Sequence, residues 1–92
     1  NRRAAEALGL AGELRLRLGQ AGRGHALWRA AREADRTRYD LGALGRDDHL
    51  KLLPWLPAEG REIVAETLRD GSSRRVEELY AQYVAPERGR DD

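Results

Sequence analysis

Apolar residues recur at every third or fourth position along most of this 92-residue chain. That spacing places them on one face of an α-helix, whereas a half-buried strand requires strict alternation. Leu, Ala, Arg and Glu dominate, and the β-branched residues that favour strands are scarce. The sequence therefore predicts an all-α fold: a small irregular bundle of four or five helices that ends in a capped antiparallel helical hairpin.

The first half of the chain predicts two long helices. The first covers residues 2–18 and carries one apolar stripe: Ala4, Ala7, Leu8, Ala11, Leu14 and Leu18. Residues 13–18 also alternate like a strand, so helix and strand both stay open there, with helix favoured because a lone strand would have no partner. Glycines at 19, 22 and 24 predict a C-cap and a flexible connector. A second helix is expected from His25 until Gly42 or Gly45 stops it.

The second half predicts three shorter helices. Asp47 and Asp48 are expected to cap a short helix that ends before Pro54, and residues 53–57 form an elbow. A fourth helix then runs from Pro57 to about residue 70, with Ile63, Val64 and Leu68 facing inward. Gly71 is expected in the left-handed conformation, and Ser72 or Ser73 is the N-cap of the last helix.

The last helix carries the cleanest amphipathic pattern, at positions i, i+3, i+4, i+7 and i+8: Val76, Leu79, Tyr80, Tyr83 and Val84. This stripe can pack in the core or dock on another protein, and the two uses are compatible. The core is small, because much of the apolar content is Ala. A homodimer that shares this face would enlarge the core. Trp55, between two prolines, is a further candidate partner contact, although core positions are expected for both tryptophans.

Charge is divided between the two halves of the chain. Residues 1–46 hold ten basic and five acidic side chains, whereas residues 47–92 hold seven and eleven, for a total of +1. Arg29, Arg32 and Arg36 follow one side of the second helix and are candidates for contacts with nucleic-acid phosphates. Glu33 and Asp35 in the same turns instead favour a solvated mixed-charge face.

Residues 61–84 offer a second place for nucleic acid. They resemble the helix-turn-helix DNA-binding motif, which implies Arg74 and Arg75 at the DNA groove. The Glu77 and Glu78 carboxylates that follow would repel phosphates. A DNA-binding transcriptional regulator is therefore the alternative hypothesis, and a non-catalytic protein-interaction or regulatory module is the leading one.

Several other functions find no support in the sequence. Without Cys there is no disulfide, thiolate metal site or cysteine nucleophile. His49 and its neighbours Asp47 and Asp48 cannot share one helix face, so no metal site is expected. We expect no enzyme activity, cofactor or small-molecule substrate, because the sequence has no glycine-rich phosphate loop and no nucleophile elbow. We expect no membrane span, because the longest apolar uncharged stretch is residues 52–58.

The remaining expectations concern the organisation and source of the chain. We expect a cytoplasmic helical domain over residues 1–85 and a disordered tail over 86–92. Sixteen of the 17 basic residues are Arg, which favours a GC-rich bacterial source. The domain is expected to be excised from, or attached to, a larger bacterial protein.

Overall fold

The computed structural model describes the backbone of residues 1–91 and the side chains of residues 1–85. It contains five α-helices and one 3-10 turn, in the order α1 (Arg2–Arg17), α2 (Ala21–Arg36), α3 (Leu41–Arg46), the 3-10 turn (Leu50–Leu52), α4 (Ala58–Asp70) and α5 (Arg74–Asp91). No strand occurs in the described part of the chain, so the all-α prediction is confirmed, and residues 13–17 are helical. The side chains of the predicted tail, 86–92, lie outside the described residues.

Helices α1 and α2 pack very closely because both carry glycine at the contact. A Cβ atom on Gly12 would lie 2.9 Å from the carbonyl oxygen of Gly24 and 3.0 Å from the amide nitrogen of Trp28. Gly22 and Gly24 both belong to α2, so the prediction of a flexible connector there was wrong. Of the glycines at 19, 22 and 24, only Gly19 has the positive φ, 80°, that is expected where a helix ends. Tight packing has overridden the low helix propensity of glycine.

The second helix ends earlier than predicted, at Arg36 rather than at Gly42 or Gly45. Thr37 is extended, and the Asp40 side chain then accepts a hydrogen bond from the amide of Ala43 at 3.3 Å. This N-cap starts a separate helix, α3. The Asn1 side chain fixes the same connection, because its Oδ1 accepts a hydrogen bond from the Leu41 amide at 3.0 Å.

The prediction that Asp47 and Asp48 cap a short helix was also wrong. Asp47 instead follows the last residue of α3, and Asp48 has a positive φ of 57°. Only one 3-10 turn, Leu50–Leu52, occurs before the elbow, and no side chain caps it. The aspartate that does act as an N-cap in this region is Asp40, at the start of α3.

The hairpin of α4 and α5 follows the sequence prediction closely. Gly71 ends α4 in the left-handed conformation, with φ of 81°. Ser73 is the N-cap of α5, since its Oγ accepts a hydrogen bond from the Val76 amide at 3.3 Å. Pro57 lies just before α4 rather than at its first position.

The core lies where α1 contacts α2, α4 and α5. Its largest fully buried side chains come from five different elements: Leu8, Leu27, Leu41, Ile63, Val64 and Leu79. Trp55 is half-buried against this core, but Trp28 is 45% exposed, contrary to the expectation for both tryptophans. The backbone of Trp28 lies against Gly12. Its indole is therefore placed at the edge of the close α1–α2 contact, where the Arg32 guanidinium lies 5.3 Å from the ring centroid.

Candidate interaction site

The apolar stripe of α5 divides into a buried part and an open part. Leu79 is fully buried in the core, and Val76, Tyr83 and Val84 are half-buried. Tyr80 is 58% exposed. The prediction of core packing is confirmed for Leu79, while Tyr80 is available at the surface.

Helix α1 contributes an apolar side chain that the sequence analysis missed. Leu10 is 50% exposed and lies with Ala7 in a groove between α1 and α5. The groove has a volume of about 510 Å³, and Val76 forms part of its α5 wall. Tyr80 lies one helical turn after Val76 on the same side of α5. The position of Leu10, three residues after Ala7, was the signal that could have identified it.

We call this surface the α1–α5 face, and its residues are Ala7, Leu10, Val76, Tyr80, Tyr83 and Val84. The first three line the groove, and helical spacing places the other three farther along the same side of α5. Charged side chains of both signs border it. Arg3 and Glu6 of α1 and Glu77 of α5 line the groove. Arg17 lies 5.9 Å from the centroid of the Tyr83 ring and also pairs with Glu13 at 3.0 Å. The face therefore has the apolar centre and charged rim that are typical of protein interfaces.

A network of ion pairs joins α1, α4 and α5 on another side of the molecule. The buried Arg15 donates from its Nε to Glu59 Oε1 at 3.2 Å and makes a second bond to the same carboxylate. Arg75 lies 3.2 Å from Glu62, 3.8 Å from Glu78 and 3.9 Å from Glu59. The hydrogen bond to Glu62, followed by the charge of Glu62, raises the pKa of Arg75. This guanidinium is therefore used inside the fold.

Glu66 fixes the hairpin at the start of α5. Its Oε1 accepts hydrogen bonds from the Ser73 hydroxyl at 2.7 Å and from the Arg75 amide at 3.2 Å. Burial acts to raise the pKa of Glu66, but these two hydrogen bonds, with the nearby arginine charges, outweigh burial and lower the pKa below its ordinary value. The carboxylate thus stabilises the hairpin in its ionised form.

The arginines considered for nucleic acid are not all available. The side chains of Arg29, Arg32 and Arg36 are exposed on α2, but Arg32 lies over Trp28 and Arg36 pairs with Glu33. Arg74 is exposed as well, whereas Arg75 is surrounded by the three glutamates named above. The pair that the motif would place at the DNA groove is thus divided between the surface and an internal network.

Trp55 lies between Pro54 and Pro57 in a shallow groove that also includes Arg29 and Ala26 of α2. It is half-buried against the core. Its role as a partner contact stays a prediction.

Among the described residues, no group of three or more His, Asp or Glu side chains is arranged to hold a metal ion. Within the same part of the chain, none of the helices combines the length and the apolar character that a membrane crossing requires.

Comparison with known proteins gives no relative from which a function could be transferred. No family model, curated protein or solved structure matches this chain.

Proposed function

We propose that this chain is a non-catalytic protein-interaction module that docks through the α1–α5 face. The observation that carries the proposal is the exposure of Leu10 and Tyr80, 50% and 58%, on the two helices that border one groove. Large apolar side chains that cluster at the surface around a groove are typical of interaction sites. Tyrosine is enriched at the centres of such sites because it supplies a large contact area at a low cost in conformational entropy.

The partner that fits this face best is a second copy of the chain. A two-fold interface brings the same surface of two copies together, so its charges must be self-complementary. The rim meets this condition because it carries Arg3 and Glu6 on α1 and Glu77 on α5. Dimerisation would also bury Leu10 and Tyr80, and so enlarge the small core.

The alternative, a DNA-binding regulator, has less support. Two of the five arginines proposed for it, Arg36 and Arg75, already pair with carboxylates. The remaining three arginines have fewer contacts within the protein that phosphates would have to displace. DNA binding is therefore included in the test as an alternative outcome.

The experiment is sedimentation equilibrium of the whole chain at concentrations up to about 100 μM. It compares the native chain with the double variant Leu10→Glu/Tyr80→Glu and with the control Leu52→Glu. Leu52 is 67% exposed and is not part of the α1–α5 face, so the control introduces a carboxylate at a leucine that is more exposed than Leu10. Circular dichroism verifies that each variant is folded.

A native chain and a control that dimerise, with a folded monomeric double variant, are the expected results. The dimer should persist from about 50 to 200 mM salt, because apolar contacts respond weakly to screening. A native chain that stays monomeric at every concentration, or a double variant that still dimerises, would overturn the proposal. A complex with a duplex of about 30 base pairs that weakens steeply over the same salt range would favour the DNA alternative.

A further inference from the structure

A second groove, between α3 and α4, is separate from the α1–α5 face. It has a volume of about 440 Å³, and six residues line it: Gly42, Gly45 and Arg46 of α3, and Ala65, Leu68 and Arg69 of α4. This volume is within the range that binding pockets usually have. None of these residues takes part in the α1–α5 face.

The floor of this α3–α4 groove is apolar and unfilled. A Cβ atom on Gly45 would lie 3.7 Å from a methyl carbon of Leu50 and 4.0 Å from one of Leu68. These are ordinary van der Waals distances, so a methyl group at position 45 would touch the apolar floor without a clash. Leu68, expected from its spacing to face inward, is instead 36% exposed on the wall of the groove.

The rim of the groove is basic. Arg46 ends α3 and forms no ion pair with a carboxylate among residues 1–85, whose side chains are described. Arg69 lies in the last turn of α4 and pairs with the adjacent Asp70 at 3.1 Å. Three other carboxylates are near the groove: Asp40 is used by the N-cap of α3, Asp47 follows Arg46 in the chain, and the charge of Glu66 acts on Arg69. The two charged residues that line the groove itself are both arginines.

We propose that the α3–α4 groove binds an amphipathic helix of another protein, one whose leucine-type side chains are flanked by Glu or Asp. The groove lined by Gly45 and the exposed Leu68 accepts the apolar side chains of such a helix, in the helix-in-groove mode of recognition. Arg46 and Arg69 favour an acidic partner through charge complementarity. The groove does not depend on self-association, because it lies on different helices from the proposed dimer face.

The experiment measures fluorescence anisotropy with synthetic helical peptides of about 16 residues. The acidic peptide carries Leu at i, i+3, i+4 and i+7 with Glu on both sides of the stripe. A basic peptide has Lys in place of Glu, and a polar peptide has Ser in place of Leu. We expect the acidic peptide to bind at least about 10-fold more tightly than the basic one, and the polar peptide not to bind.

Two variants of the chain locate the binding. Gly45→Leu fills the groove and should abolish binding while the circular dichroism spectrum stays native, since a Cβ at this position meets no close contact. Arg46→Glu/Arg69→Glu should reverse the preference, so that the basic peptide binds more tightly than the acidic one. Arg46→Glu/Arg69→Glu reverses the charges of the rim and leaves the groove open, so it tests the proposal even if Gly45→Leu does not fold.

Three results would overturn the proposal. The first is no binding of the acidic peptide at about 1 mM, and the second is equal affinity for the acidic and basic peptides. The third is loss of binding in Leu10→Glu/Tyr80→Glu, because it would place the peptide on the α1–α5 face. Dimerisation of the native chain is measured separately, so failure of one proposal is distinguishable from failure of the other.

Discussion

Replacing Gly12 with Ala should destabilise the protein, although the same change in an isolated helix would stabilise it. Alanine is favoured over glycine in a helix interior by about 1 kcal/mol. At Gly12, however, the added methyl group would lie 2.9 Å from the Gly24 carbonyl oxygen and 3.0 Å from the Trp28 amide nitrogen. Both atoms belong to the backbone of α2, so no side-chain rotation can relieve the contact.

The magnitude follows from these two opposing effects. Overpacking a core usually costs about 1–3 kcal/mol, and we expect the upper part of that range because α1 and α2 must move apart as whole helices. After the gain in helix propensity is subtracted, Gly12→Ala should lower the free energy of unfolding by about 1–2 kcal/mol. For a domain of this size, that loss lowers Tm by roughly 5–15 °C.

Gly22→Ala is the matched control, because Gly22 also lies in α2 but a Cβ there would have no atom within 4 Å. This variant should be about 0.5 kcal/mol more stable than the native chain. The assay is urea denaturation followed by circular dichroism, with the two variants compared at equal m-values. The reasoning is refuted if Gly12→Ala is as stable as Gly22→Ala, since α1 and α2 would then not be in backbone contact.

Three further predictions test the core, the ion-pair network and the hairpin. Leu79→Ala should cost about 2–5 kcal/mol in urea denaturation because Leu79 is fully buried, and a fully stable variant would contradict its place in the core. Arg15→Ala should cost roughly 3 kcal/mol because the partly buried Glu59 keeps only the 3.9 Å contact with Arg75, and Arg15→Met/Glu59→Leu should recover most of this loss; equal losses in both would argue against a buried ion pair. The stabilisation from Glu66, whose native pKa is lowered, should be complete above the ordinary pKa of 4.5 and should disappear as the pH falls through the native pKa. Glu66→Gln should be less stable than the native chain at neutral pH and should lose less stability on acidification, as thermal unfolding between about pH 7 and 3 would show; parallel pH profiles would count against the hydrogen bonds to Ser73.

The candidate interaction site could be predicted only in part. The spacing of Val76, Tyr80 and Tyr83 on the last helix was readable, because helical periodicity depends on local geometry. The contribution of Leu10 was not, since it depends on which side of α1 faces α5. The DNA-binding alternative placed Arg75 at the DNA groove, yet this residue binds glutamates of α4 and α5. Charge pairing between distant segments cannot be read from spacing along one helix.

Local signals determined the helices at the end of the chain. Gly71 was predicted to be left-handed and Ser73 was a predicted N-cap, because both roles depend on the chemistry of one residue and its nearest backbone groups. The all-α class followed in the same way from propensity and periodicity. These properties belong to short segments, so the sequence alone determined them.

Only the tertiary structure decided how the helices meet. Gly24 had indicated a loop, because glycine is a poor helix former, but its close packing on Gly12 stabilises helix at that position. Trp28 was expected in the core, but the close contact of its backbone with Gly12 leaves its side chain at the surface. The physical reason is that a helix propensity of about 1 kcal/mol is small beside the packing of two whole helices, and packing partners are not encoded locally.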